Sequence, residues 1–144
     1  MVEKDTVIER QHYKGLAWVA SMALFMQSLD ATILNTALPT IATDLQTPVF
    51  EMQMAIIAYS LAVALFIPLT AWAAAKFGTL TVFRSAVFTF VLGSVACAMA
   101  TSLETLVLAR ILQGIGGAFM MPVARLAIIQ TVPKNQLINA WNLM

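Results

Sequence analysis

The chain has 144 residues, 60% of them hydrophobic and 10% charged, and its mean hydropathy is +0.85. Soluble domains carry about a quarter charged residues, so this composition excludes an ordinary soluble domain and points to an all-α integral membrane protein. The net charge of +1 gives no basis for a nucleic-acid partner, the single Cys97 excludes an internal disulfide, and the lone His12 excludes a histidine-built metal site. Neither a metal nor a cofactor is expected.

Residues 1–14 are polar, of mixed charge, and read as a segment outside the membrane. An apolar run then covers 15–38 and stops at Pro39, and three more cover 52–75, 81–100 and 103–130. A membrane-crossing helix needs about 20 apolar residues, and each run meets that length. The first does not read as a cleaved signal peptide: it is too long for an h-region, contains Asp30 and is followed by no clear small-residue cleavage site. Thr47-Pro48 reads as a cap with a first-turn proline ahead of span two. Lys76-Phe77-Gly78-Thr79 forms a tight turn between spans two and three, and Thr101 with Glu104 has the capping-box spacing before span four. Pro68 and Pro122 are expected to kink spans two and four. Residues 131–144, with Val132-Pro133-Lys134, read as a loop and the start of a fifth helix.

Orientation follows from the basic residues. Lys4, Arg10 and Lys14 precede span one, Lys76 and Arg84 flank the turn between spans two and three, and Arg125 and Lys134 lie at or beyond the end of span four. The connections at 39–51 and 99–103 contain neither Lys nor Arg. Under the positive-inside rule the N-terminus, the Lys76 turn and the loop at 131–144 are cytoplasmic, with Arg84 and Arg125 snorkelling to the interface and Trp18 and Trp72 in an aromatic belt.

Two charges lie inside spans. A charge at mid-membrane costs at least about 2.5–3.5 kcal/mol on insertion scales, so it is paired, cavity-facing or functional. Asp30 stands about nine residues before Pro39 and Arg110 about seven after Leu103, which at 1.5 Å per residue places them roughly 13 Å and 10 Å from the same membrane face. At similar depth they can pair or share a polar cavity. Gln27 lies one turn from Asp30 and Gln113 one turn from Arg110, so each charge has polar company on its own helix face. Arg110, Gly114, Gly117 and Met121 form one stripe along span four, where glycine permits close backbone approach to a helix or a substrate. Two readings stay open: a structural ion pair that fixes helix packing, or a protonatable Asp30 answering to Arg110 and burial. Met22, Met26, Met120 and Met121 are candidates for an adaptable cavity lining or for lipid-facing filler.

These residues also carry a family resemblance. Leu29-Asp30-Ala31-Thr32-Ile33-Leu34-Asn35-Thr36-Ala37-Leu38-Pro39 resembles the first-span signature of the fourteen-helix drug:proton antiporters of the major facilitator superfamily. Leu108-Ala109-Arg110-Ile111-Leu112-Gln113-Gly114-Ile115-Gly116-Gly117-Ala118 resembles that superfamily's fourth-span motif, Arg-x-x-Gln-Gly-x-Gly. The resemblance covers essentially the whole chain, with EmrB-like exporters the nearest in kind. It implies four spans and the start of a fifth from the N-terminal part of a major facilitator bundle in a bacterial inner membrane. The driving force would be the proton gradient, and the partners would be the lipid bilayer, small amphipathic compounds and the remainder of the transporter. It also implies that Arg110 acts in proton coupling and that Asp30 and Asn35 belong to the first-span motif, with Gln113 and Gln27 on the same pathway and Gly114, Gly117 and Pro39 in close helix packing. The family's loop motif, Gly-x-x-x-Asp-Arg-x-Gly-Arg-Arg, here reads Ala71, Ala75, Lys76, Gly78, Thr79 and Leu80 at its defined positions, so only Lys76 and Gly78 carry over.

Besides a proton-coupled exporter of which this is an N-terminal portion, two readings remain: a complete four-helix small exporter acting as a dimer, and a non-transporting truncated protein or assembly partner. The Arg-Gln-Gly motif and the fifth-helix start speak against the first of these. No nucleophile–base constellation or phosphate loop is present, since Gly114-Ile115-Gly116-Gly117 lies mid-helix in an apolar run, so an enzyme is not expected.

Overall fold

The computed structural model describes the backbone of residues 2–131 and Ile138, and the side chains of 14–130 and Ile138. Apart from Thr131 and Ile138, the loop and fifth-helix start expected over 131–144 lie outside the described residues. Among the described residues five helices follow in chain order: α1 Val2–Asp44, α2 Val49–Phe66, α3 Leu69–Phe77, α4 Thr79–Ala98 and α5 Leu103–Thr131. Among the described residues four segments are long and apolar enough to cross a bilayer: Lys14–Asp44, Val49–Phe66, Thr79–Ala98 and Leu103–Gln130.

The first helix does not stop at Pro39, as its sequence suggests, but runs on to Asp44. Proline removes one intrahelical bond, and packing offsets that loss. Leu38, Ile41, Ala42 and Leu45 stay in a cluster with Met52, Ala55 and Leu106, which holds the helix together beyond the proline. The helix ends when Gln46 takes a left-handed backbone (φ 51°). The Thr47 amide then bonds back to Ala42 O at 2.9 Å and that of Gln46 to Thr43 O at 3.2 Å, the wrap-around closure of a Schellman motif.

Span two is two helices rather than one run from 52 to 75. Pro68 cannot donate to the preceding turn, and α2 gives way to α3 there, with the Thr70 hydroxyl bonding to Ile67 O at 2.7 Å. Pro122, by contrast, sits within an unbroken α5. Two caps also differ from expectation. Pro48 is itself the residue before α2, and the Thr47 hydroxyl bonds to Leu45 O at 3.1 Å instead of capping. The capping box before α5 is Ser102 with Thr105, one residue later than Thr101 with Glu104. The Thr105 amide donates to Ser102 Oγ at 3.3 Å and the Ser102 amide donates to Thr105 Oγ1 at 3.1 Å. A short hydroxyl at the third helical position completes the box as a glutamate would.

Between α3 and α4 the chain reverses at Gly78, whose φ of 87° suits a residue without a Cβ. The Thr79 hydroxyl donates to Gln130 Oε1 at 2.7 Å, which ties this turn to the end of α5. At the opposite end Ile41, Asp44 and Leu45 share a cavity of about 230 Å³ with Cys97, Ala100 and Leu106, beside the α4–α5 connection.

The interior is built from small side chains. Ala20, Ala23, Ala73, Ala86 and Ala124 surround Phe83, Phe90 and Met120, while Phe25, Leu61, Phe88 and Leu108 point outward. This inversion suits a solvent of lipid, where helices associate through close packing rather than through water exclusion. The crossing of α4 and α5 is the tightest case: a Cβ on Gly93 would lie 2.7 Å from Gln113 Cα, and one on Gly116 would lie 2.6 Å from the Phe90 amide nitrogen. Gly116→Ala should therefore force these helices apart and cost about 1–3 kcal/mol. Gly15→Ala, where a Cβ meets nothing within 4 Å, should leave the melting temperature of the purified full-length protein unchanged. Equal melting of both variants and the parent would contradict this packing.

Candidate functional site

Helix α5 carries Arg110 and Gln113 one turn apart on its buried side, 2% and 0% exposed. α1 crosses it and presents Gln27 and Asp30, also one turn apart, so the two polar pairs meet between the helices. Arg110 Nη1 donates to Asp30 Oδ2 at 2.6 Å and to Gln113 Oε1 at 2.6 Å. Gln113 Nε2 donates to Asp30 Oδ1 at 2.7 Å. One carboxylate, one guanidinium and one amide thus close a ring in which each touches the other two. Depth arithmetic places the charges level, and here they form an ion pair.

The site has two further contributors that sequence reasoning missed. Tyr59, from α2, lies with its ring under the Arg110 guanidinium, Cζ being 4.3 Å from the ring centroid. Cys97, from α4, points its thiol at Gln113 Oε1 over 3.6 Å. A tyrosine inside an apolar run reads as filler. The available signal was its hydroxyl, a polar tip about eleven residues inside the span from Pro48 that has to be satisfied somewhere.

Gln27 serves the layer below. Its Nε2 contacts Tyr59 Oη at 3.3 Å and Gly117 O at 3.5 Å. Gly117 leaves the space that Tyr59 Oη occupies, since a Cβ there would come within 2.9 Å of it, and Gly114 admits the α2 backbone, with Tyr59 O only 2.8 Å from where a Cβ would be. The glycine stripe on α5 is therefore a docking groove for α2. Among the buried side-chain polar atoms described, Gln27 Oε1 and Arg110 Nε have no hydrogen-bond partner.

Other expected site residues lie elsewhere. Asn35 is exposed on α1 and outside the ring. Pro39 is exposed as well, and within this chain the helix is held there by its neighbours Leu38 and Ala42. Lys76 stands at the α3–α4 turn with its ammonium 4.8 Å from the Trp72 ring and 5.5 Å from that of Phe77, beside Gly78. The methionines divide: Met120 is core, whereas Met22, Met26 and Met121 are exposed. Among the described residues no group of three or more His, Cys, Asp or Glu could hold a metal ion.

The model of the major facilitator superfamily matches residues 20–144. The chain belongs to that superfamily. It is 84% identical over 136 residues to HsrA of Haemophilus influenzae, which is named a probable transport protein, covering 94% of this chain and 29% of that one. It is 46% identical over 119 residues to MdtD of Salmonella paratyphi B and of Citrobacter koseri, which is named for multidrug resistance, covering 83% of this chain and 25% of each. No solved structure matches significantly. The chain thus spans less than a third of the length of these curated relatives. It is a multi-pass membrane protein of a transporter superfamily, not an enzyme.

Burial makes the ion pair matter energetically. Removing one partner of a buried pair leaves the other charge uncompensated, at a cost of about 3–5 kcal/mol, whereas removing both costs far less. A double-mutant cycle of Asp30→Ala and Arg110→Ala in the full-length protein should give a coupling of more than about 1 kcal/mol, read from thermal or denaturant unfolding in detergent. Additive effects would show that the contact does not bind α1 to α5.

Proposed function

We propose that this chain supplies the first four spans of a proton-coupled multidrug antiporter. The observation that carries the reading is the Asp30–Arg110 pair, buried between the first and fourth spans and bridged on both sides by Gln113. An ionisable residue kept inside a membrane is expensive, and proton relays are among the few roles that retain one. The relatives named for transport and multidrug resistance support the same reading.

In this scheme Asp30 is the proton carrier. Ionised, it neutralises Arg110 and holds α1 against α5. On taking up a proton it loses the ionic part of that contact, Arg110 keeps Gln113, and the bond between the two helices weakens. A proton entering from one side thereby biases the bundle toward one conformation, and its departure on the other side restores the first. Ser28, Thr32 and Asn35 share one exposed face of α1 at helical spacing. That face is the side offered to the substrate path, and amphipathic compounds fit its mixture of hydroxyl, amide and the neighbouring Met26 and Leu29. The basic residues at the N-terminus and the Lys76 turn support a cytoplasmic side for those ends, in a bacterial inner membrane.

The experiment is efflux of ethidium from cells expressing the full-length protein. Asp30→Asn and Arg110→Gln should each reduce proton-driven efflux at least about tenfold at equal membrane abundance, a loss equivalent to about 1.4 kcal/mol of coupling. Asn35→Ala should change the apparent substrate affinity while leaving the dependence on the proton gradient intact. Wild-type efflux in both charge variants would remove the pair from the mechanism.

A further inference from the structure

The cluster contains an aromatic ring that an ion pair alone does not require. Tyr59 is fixed at both ends: its backbone carbonyl fits the space at Gly114, and its hydroxyl fits the space at Gly117 and meets Gln27. Between these anchors the ring lies 4.3 Å from Arg110 Cζ. The titratable or charged groups around Asp30 among the described residues are Arg110 from α5, Tyr59 from α2 and Cys97 from α4, while α1 itself places no second charge within a turn of Asp30.

We propose that Tyr59 is a positioning residue that keeps Arg110 in place when Asp30 is neutral. The argument concerns the net charge of the cluster. With Asp30 ionised, carboxylate and guanidinium cancel, and the negative face of the ring gains little from the pair. With Asp30 protonated, the cluster carries a net positive charge in a poorly screened interior, and the ring is its nearest neutralising surface. Cation–π attraction grows as the cation is desolvated and stripped of other partners. The ring therefore stabilises the protonated state more than the ionised one. It also holds the guanidinium where Asp30 can recapture it, because the fixed ring prevents Arg110 from following a departing α1.

The consequence for coupling rests on the antiporter reading, but the test does not need transport. In the purified full-length protein, the carbonyl stretch of protonated Asp30 can be followed against pH by infrared difference spectroscopy and assigned by its loss in Asp30→Asn. Position 59 is then varied from Tyr59→Phe through phenylalanines of increasing ring fluorination, which keep the shape of the ring while draining its negative face. A purely space-filling role would not respond to this series. The midpoint of the Asp30 band should move to lower pH along it, by about one unit in all, or about tenfold in proton affinity. Tyr59→Phe should stay near the parent, and Tyr59→Leu should fall at least as far as the most fluorinated ring. A midpoint constant across the fluorinated series, or no Asp30 band at any pH, would overturn the inference. Wild-type ethidium efflux in Asp30→Asn would instead remove the antiporter reading and leave the infrared series to decide on Tyr59.

Discussion

A guanidinium cannot be left without partners in the middle of a membrane, and Arg110 is 2% exposed on a mostly apolar helix. Away from water, the surrounding structure has to supply the partners that a guanidinium needs. Four elements answer that demand. α1 brings the carboxylate, α5 itself brings the Gln113 amide, α2 brings an aromatic face, and α4 brings a thiol to the same Gln113 oxygen that accepts from Arg110. Every spanning helix thus reaches the same point on α5. The contrast with Asp30 is informative, because its side chain keeps 19% of its surface where that of Arg110 keeps 3%. The carboxylate is the more exposed of the two groups, and the guanidinium is enclosed.

That convergence is possible only because α5 is lined with small residues. Gly114 and Gly117 receive Tyr59, Gly116 receives α4, and Gly93 on α4 gives way to the Gln113 backbone. Without those approaches α2 and α4 would stand further from α5, and Tyr59 and Cys97 could not reach Arg110 and Gln113 at 4.3 Å and 3.6 Å. Packing and polar chemistry are therefore one arrangement rather than two. The helix most enclosed by its neighbours is also the one that carries the fixed charge.

Much of this was legible in the sequence, for physical reasons that differ from residue to residue. The four spans announce themselves because twenty apolar residues in a row have few other stable solutions. The meeting of Asp30 with Arg110 follows from counting helical rise inward from Pro39 and Leu103, and the place of Gln113 from one-turn spacing. Helix boundaries were less legible. Pro39 signals a stop locally, yet the cluster around Leu38, Ala42 and Met52 lies far apart in sequence and carries the helix past it. The box before α5 lay one residue off because Ser102–Thr105 and Thr101–Glu104 have the same spacing, and only the fold selects between them. Tyr59 was missed because an aromatic in an apolar run carries no local sign of what its ring will face. Its partner Arg110 is some fifty residues away.

The proposed role of Asp30 as carrier of the exchanged proton, with Arg110 as its partner, can be tested without a membrane potential or a cell. Proteoliposomes holding the full-length transporter are given an ethidium gradient, and lumenal pH is followed with a trapped dye. The account requires protons to move against the ethidium gradient in the wild type and no movement above background with Asp30→Asn. Proton movement in the Asp30→Asn variant equal to that of the wild type would contradict it.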